Sequence, residues 1–132
     1  MNTKIIMISS TVFLGAMGLG LTFLPDDIIS NIGIASNPIS TMSLQLLGAL
    51  YLGFAMLNWM AKGALIGGMY NKPIAVGNFM HFAVGALALV KISSKVLTHS
   101  EVVISLTVAY IIFAILFAYV FRTNPPQIGK DK

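Results

Sequence analysis

The residue whose side chain is best suited to chemistry is His81, which lies in the otherwise apolar run GNFMHFAVGA. Gly77 and Gly85 flank it at intervals of four residues, so on a helix the three residues share one face. Ionisable side chains are costly inside a membrane, and one that is retained there is by default a candidate for function. A neutral imidazole in such a place could bind a quinone carbonyl or a lipid hydroxyl, or carry a proton.

Two tyrosines are expected at nearly the same depth as His81. A helix rises about 1.5 Å per residue, and counting back from the charged residue that ends each apolar run places Tyr51 and Tyr110 near the middle of their helices. If the helices that carry these residues face each other, the spacing predicts a Tyr51–His81 pair and an Asn58–Asn78 pair one layer away. That second layer is predicted to hold five polar residues: Asn58, Asn78, Ser9, Ser10 and Thr11.

Two interpretations of these polar residues stay open. In the first, His81, Tyr51, Asn58, Asn78 and Tyr110 line a pocket that binds a small hydrophobic ligand such as a quinone or a lipid. In the second, they hydrogen-bond to neighbouring helices and lock the fold, a contact that contributes about 0.6 kcal/mol on average in membrane proteins.

The rest of the sequence argues against an enzyme. The uncharged stretches contain no carboxylate and the chain has no cysteine, so a buried di-metal carboxylate site, a thiolate metal site and a Ser-His-acid triad all lack ligands or partners. We therefore expect no metal and no cofactor. The eight Lys and Arg residues are scattered singly, which gives no basic stripe for nucleic acid.

The elements that must position these residues are membrane helices. Only 9% of the 132 residues are charged and 57% are hydrophobic, whereas a soluble domain has about 25% charged residues. A span needs about 20 apolar residues, and four uncharged stretches approach or reach that length: Ile5–Leu24, Leu44–Ala61, Pro73–Val90 and Val102–Phe121. The sequence predicts an all-α membrane protein, one domain over residues 1–132, in which four transmembrane helices form a bundle with spans at about 4–24, 40–62, 73–95 and 102–121.

The first connection contains signals for a short fifth helix between the first and second spans. Pro25 can open it, Asp26 and Asp27 would lie in its first turn, where negative charge suits the helix dipole, and Gly33 can end it. We expect this helix to lie at the membrane interface. Asn37-Pro38 marks the turn that follows, and Asn71-Lys72-Pro73 marks the turn before the third span.

The positive charges predict the orientation of the chain. Six lie on the side of the termini, at Lys4, Lys62, Lys72, Arg122, Lys130 and Lys132, and two lie on the other side, at Lys91 and Lys95. Because Lys and Arg are retained in the cytoplasm, we expect both termini to be cytoplasmic, in a bacterial inner membrane.

Three segments in order carry a family resemblance: FLPDDIISNIGI, QLLGALYLGFAMLNWMAKGALIGG and GNFMHFAVGALALVK. Over Pro25 to Lys91 the chain resembles the DoxX-like small four-helix membrane proteins. The resemblance implies a four-helix fold and a role as an accessory or assembly subunit, while some members are linked to quinone or thiosulfate oxidation. Gln45 stands where many members carry a basic residue, so the resemblance carries no ligand role to that position.

Three functions are therefore considered, with lipid as the solvent in each. The first is a non-enzymatic accessory subunit that docks other membrane proteins or further copies of itself through a small-residue face formed by Gly15, Ala16, Gly18 and Gly20. The second is a binding protein for a quinone or lipid at His81. The third is an oligomeric channel or carrier, against which the absence of a charged filter ring argues. We favour the first.

Overall fold

A computed structural model describes residues 3–33, 35–64, 71–93 and 100–123. These residues form five α-helices and no strand: α1 (Thr3–Phe23), α2 (Pro25–Asn31), α3 (Pro38–Ala61), α4 (Lys72–Ser93) and α5 (Ser100–Thr123). Four of them, α1, α3, α4 and α5, are long and apolar enough to cross a membrane. The predicted all-α membrane fold with a short helix between the first two spans is confirmed, and the chain is an integral membrane protein.

The helices fall into two compact units, one over Lys4–Met60 and one that contains Ala61–Lys132. We call them the α1–α3 unit and the α4–α5 unit. The prediction of a single domain over residues 1–132 stays a prediction. The end of the predicted third span, at residues 94–95, lies outside the described residues.

The local signals around α2 act as predicted. Pro25 occupies its first turn with Asp26 and Asp27, where the missing proline N–H costs nothing and the carboxylates suit the helix dipole. Gly33 follows the helix with a positive φ of 74°, a backbone conformation that glycine adopts without strain. These residues set both ends of a helix only seven residues long.

Asn37 caps the start of α3. Its side-chain oxygen accepts hydrogen bonds from the backbone N–H groups of Ile39 at 3.0 Å and Ser40 at 2.9 Å. The Asn37 N–H in turn donates to the Ser40 hydroxyl at 3.2 Å. Asn37 and Ser40 therefore each accept a hydrogen bond from the backbone N–H of the other. The cap fixes where the second span begins.

A carboxylate ties α2 to α3 across the connection between them. Asp26 Oδ1 accepts hydrogen bonds from the Ser36 hydroxyl at 2.7 Å and from the Thr41 hydroxyl at 2.8 Å. These two bonds lower the pKa of the Asp26 carboxyl from its ordinary value, the Ser36 bond having the larger effect, because they favour its charged form.

Glycines let α1 and α3 approach closely. A Cβ built on Gly18 would lie 3.0 Å from the Gly48 carbonyl oxygen, and a Cβ built on Gly48 would lie 2.9 Å from the Gly18 carbonyl oxygen and would overlap the Thr22 hydroxyl. Each Cα–H therefore points at the carbonyl of the other helix, the reciprocal contact that recurs at close helix interfaces. Gly18 and Gly48 are both buried.

Candidate functional site

The histidine singled out by the sequence lies next to a tyrosine of the following helix. The Tyr110 hydroxyl of α5 is 3.5 Å from Nε2 of His81 on α4, and the two ring centroids are 5.7 Å apart. This distance is at the long limit for a hydrogen bond, and which group donates depends on the histidine tautomer. Tyr110 is buried and His81 is partly buried.

An aromatic cluster holds the two rings from one side. Phe82 is fully buried and stacks on Phe113 with centroids 4.8 Å apart and on Phe117 with centroids 5.8 Å apart. Its edge contacts are to His81 at 5.1 Å and Tyr110 at 5.3 Å. The α5 residues are spaced i, i+3 and i+7, so one face of α5 packs on one side chain of α4. Such aromatic contacts have defined geometry and position the His81–Tyr110 pair.

Gly85 makes room for the tyrosine ring. A Cβ built at this position would lie 2.6 Å from Cδ1 of Tyr110 and would overlap Cε1. The glycine one helical turn after His81 therefore allows a neighbouring helix to bring a ring to the imidazole. Any larger residue would push Tyr110 away.

Asn58 lies on α3 in the α1–α3 unit, and it hydrogen-bonds to α1. Its Nδ2 donates to the Ser10 hydroxyl at 3.1 Å, and Ser10 donates to the Met7 carbonyl at 3.0 Å. Asn58 and Ser10 are both fully buried. The predicted second polar layer thus brings these two residues together, in a chain of hydrogen bonds that joins α3 to α1.

A second polar contact joins the same two helices. The Thr11 hydroxyl lies 2.8 Å from the Met7 carbonyl and 3.3 Å from the Ala55 carbonyl, so it donates to one helix or the other. Close by, a Cβ built on Gly15 would lie 3.8 Å from the Ala55 methyl group, an ordinary van der Waals distance. The α1–α3 seam therefore runs from these hydroxyls to the Gly18–Gly48 contact.

Asn78 is fully buried on α4. Its Nδ2 donates to the Ile74 carbonyl one turn earlier at 2.9 Å. This bond satisfies part of the amide within its own helix, which fits a structural role for the residue. Tyr51, the other predicted site residue, is buried on α3.

The five predicted site residues are divided between the two units. Tyr51 and Asn58 belong to the α1–α3 unit, while His81, Asn78 and Tyr110 belong to the α4–α5 unit. The structure brings His81 and Tyr110 together. The Tyr51–His81 and Asn58–Asn78 pairs would join one unit to the other, and they stay predictions. Among the described residues there is no group of three His, Cys, Asp or Glu that could hold a metal ion.

Sequence reasoning missed an open groove on the outer face of α3. It has a volume of about 290 Å³ and is lined by Ala49, Leu50, Gly53, Phe54 and Leu57. Gly53 is exposed, and no atom lies within 4 Å of a Cβ built on it. The signal that could have found it is the small-xxx-small spacing of Ala49 and Gly53 among leucines.

No protein-family model, no curated protein and no solved structure matches the chain. The resemblance to the DoxX-like proteins therefore stays a prediction from the three segments that suggested it.

Proposed function

We propose that this protein is a non-enzymatic accessory or assembly subunit of a complex in a bacterial inner membrane, with both termini in the cytoplasm. One observation carries the proposal. The polar side chains that could have formed a site make their hydrogen bonds within the two helical units. Asn58 bonds Ser10, Asn78 bonds Ile74, and the Tyr110 hydroxyl meets the His81 ring. These contacts support the interpretation in which the polar side chains hold the helices together.

The outer surfaces support the same proposal. In the most apolar stretch of each span, only 17% to 28% of the residues are buried within the chain, so most residues of each span keep part of their surface open to lipid or a partner. On α1 the exposed residues Val12 and Leu19 stand beside Ala16 and Gly20, and no atom lies within 4 Å of a Cβ built on Gly20. Small residues at this spacing let another membrane helix approach closely, and the resemblance to the DoxX-like group favours such a role.

The test is purification of the full-length tagged chain in a mild detergent, followed by mass spectrometry of bound proteins and lipids. We expect one membrane protein to co-purify at a constant ratio. The ratio should be unchanged in His81→Ala, and it should fall in Gly20→Leu, which fills the open position on α1. A chain that carries no protein partner, or a partner lost in His81→Ala and kept in Gly20→Leu, would contradict the proposal.

The second candidate function is the binding of a quinone or lipid at His81. It is favoured by the length of the Tyr110–His81 contact, 3.5 Å, because a weak bond between two groups that can both donate and accept is easily exchanged for a bond to a ligand. In the same experiment this function would appear as a quinone or lipid that co-purifies with the chain and is absent from His81→Ala.

A further inference from the structure

One end of the α4–α5 unit carries two cations beside an aromatic ring. Lys72 is the first residue of α4, and Arg122 lies in the last turn of α5. The Lys72 Nζ lies 5.2 Å from the centroid of the Phe121 ring, which is a cation–π distance. Because Phe121 directly precedes Arg122, this contact places the two positive residues at the same end of the unit.

Neither cation has an acidic partner in the described part of the chain. Among the described residues of this unit, the only carboxylate side chain is that of Glu101, in the first turn of α5. At 1.5 Å per residue it lies about 30 Å from Arg122 along the helix. Lys72 and Arg122 are both exposed and form no ion pair within the described ranges, so an anion from outside the chain can approach both.

An exposed apolar row begins directly after Lys72 on α4. Val76, Met80 and Val84 follow it at intervals of four residues, so they lie on the same side of the helix. Their side chains are 36%, 51% and 55% exposed. Since α4 is a membrane span, this row lies at the depth of the acyl chains, while Lys72 and Arg122 lie where the apolar stretches end, at the level of the lipid headgroups.

We propose that this end of the α4–α5 unit binds an anionic phospholipid, with the phosphate at Lys72 and Arg122 and an acyl chain along Val76 and Met80. The row and the cations together require an occupant that is negative at one end and apolar along its length. Water cannot cover the apolar row favourably, and a polar helix would bring its own polar groups into hydrocarbon. A zwitterionic lipid has the acyl chain and lacks the net negative charge.

The Phe121 ring prepares the site for its ligand. A free lysine side chain loses rotamer freedom when it binds, whereas the Lys72 ammonium already lies over the ring. The Arg122 guanidinium can bind two phosphate oxygens at once, and lysine acts as a point charge. The ring and the two cations therefore have separate roles, and each can be removed separately.

Binding of defined lipids to the purified full-length chain tests the proposal. The chain is freed of bound lipid in detergent and titrated with phosphatidylglycerol, with phosphatidylcholine of the same acyl chains, and with glycerol phosphate alone, and native mass spectrometry counts the bound molecules. Phosphatidylglycerol should bind about tenfold or more tightly than phosphatidylcholine, and glycerol phosphate should not bind. Equal binding of the two lipids would overturn the proposal, and glycerol phosphate bound as tightly as phosphatidylglycerol would show a site for free phosphate instead.

Three variants remove the parts of the site one at a time. Lys72→Gln and Arg122→Gln should each weaken phosphatidylglycerol binding about fivefold, the contribution of one basic residue near a membrane surface. Phe121→Leu keeps both charges and removes the ring, so it should weaken binding about twofold to fivefold. Phe121 is 42% exposed, and leucine at this position leaves the fold in place. Binding unchanged by Phe121→Leu would overturn the role of the ring.

The matched control is Lys91→Gln, which makes the same change in the same helix. Lys91 lies in the last turn of α4, at the opposite end of the unit from Lys72, and is exposed. The control should bind phosphatidylglycerol as the unaltered chain does, and a loss equal to that of Lys72→Gln would show a response to net charge and no site at Lys72.

The lipid site and the proposed function can fail separately, because the protein partner of the proposed function is assigned to α1. Absence of that partner leaves the lipid measurements unchanged. A protein that co-purifies with the chain and is lost in Lys72→Gln, with phosphatidylglycerol binding unaltered, would show that the cations bind an acidic protein and would overturn the lipid site.

Discussion

Gly85 decides where the ring of Tyr110 can lie. We predict that Gly85→Ala lowers the free energy of unfolding by about 1–3 kcal/mol, the usual cost of overpacking a filled site. The added methyl would overlap Cε1 of Tyr110 and lie 2.6 Å from Cδ1, and this ring is only 2% exposed. The measurement is unfolding of the purified chain in mixed micelles.

The control for Gly85→Ala is Gly20→Ala, because both substitutions make the same change inside a helix and no atom lies within 4 Å of a Cβ built on Gly20. Alanine is the better helix former by about 1 kcal/mol, so the control should be neutral or stabilised. If the two variants unfold at the same free energy, the Tyr110 ring is not held by Gly85.

At the residue scale, the sequence could predict depth but not rotation. Counting along the helices placed His81 and Tyr110 in one layer, and the structure brings them to 3.5 Å. The same counting placed Asn58 and Ser10 in one layer, and they are hydrogen-bonded. Which residues of a layer contact each other depends on how each helix is rotated about its axis. Helices that are almost uniformly apolar give little amphipathic signal for that rotation.

At the scale of elements, the approach of α1 to α3 depends on Gly48. We predict that Gly48→Ala destabilises the chain by about 1–3 kcal/mol or more, because the new methyl would overlap the Thr22 hydroxyl and lie 2.9 Å from the backbone nitrogen of Thr22 and from the Gly18 carbonyl. Backbone atoms cannot turn aside as a side chain can, so the two helices must separate. Thermal unfolding in detergent measures the loss.

Gly53→Ala is the matched control for Gly48→Ala. It makes the same substitution in the same helix, and no atom lies within 4 Å of the built Cβ. It should unfold at or above the wild-type temperature. A Gly48→Ala variant as stable as Gly53→Ala would show that the α1–α3 seam does not depend on this contact.

The ends of the elements were predictable where single residues set them. Pro25, Asp26 and Gly33 gave the bounds of α2, since each acts through its own backbone or charge. The hydrogen bonds from Ser36 and Thr41 to Asp26 were not predictable, because they depend on how the chain folds back after α2. The role of Gly48 was likewise not predictable. Both Gly48 and Gly53 are glycines within the same apolar helix, and only the structure shows that Gly48 is buried while Gly53 is exposed.

At the scale of the whole molecule, the charges predict which side of the membrane each connection occupies. Six positive residues accompany the termini and the connection between the second and third spans, and two accompany the other connections. Since positive residues stay in the cytoplasm, a cysteine at Ala35, in the exposed connection after α2, should react with a membrane-impermeant maleimide in intact cells. A cysteine at Lys130 should react only after the cells are opened.

The same charge difference predicts how removing positive residues should affect the orientation of the chain. Replacing Lys62 and Lys72 with glutamine leaves four of the six positive residues on the cytoplasmic side, still twice the number on the other side, so the labelling pattern should persist. Replacing Lys4 and Arg122 with glutamine as well leaves two positive residues on each side of the membrane. The chain should then insert in both orientations, with Ala35→Cys labelled in only part of the molecules. Labelling of Lys130→Cys in intact cells, with no other charged residue changed, would reverse the assigned orientation, and with it the side of the membrane on which α2 and its Asp26 contacts lie.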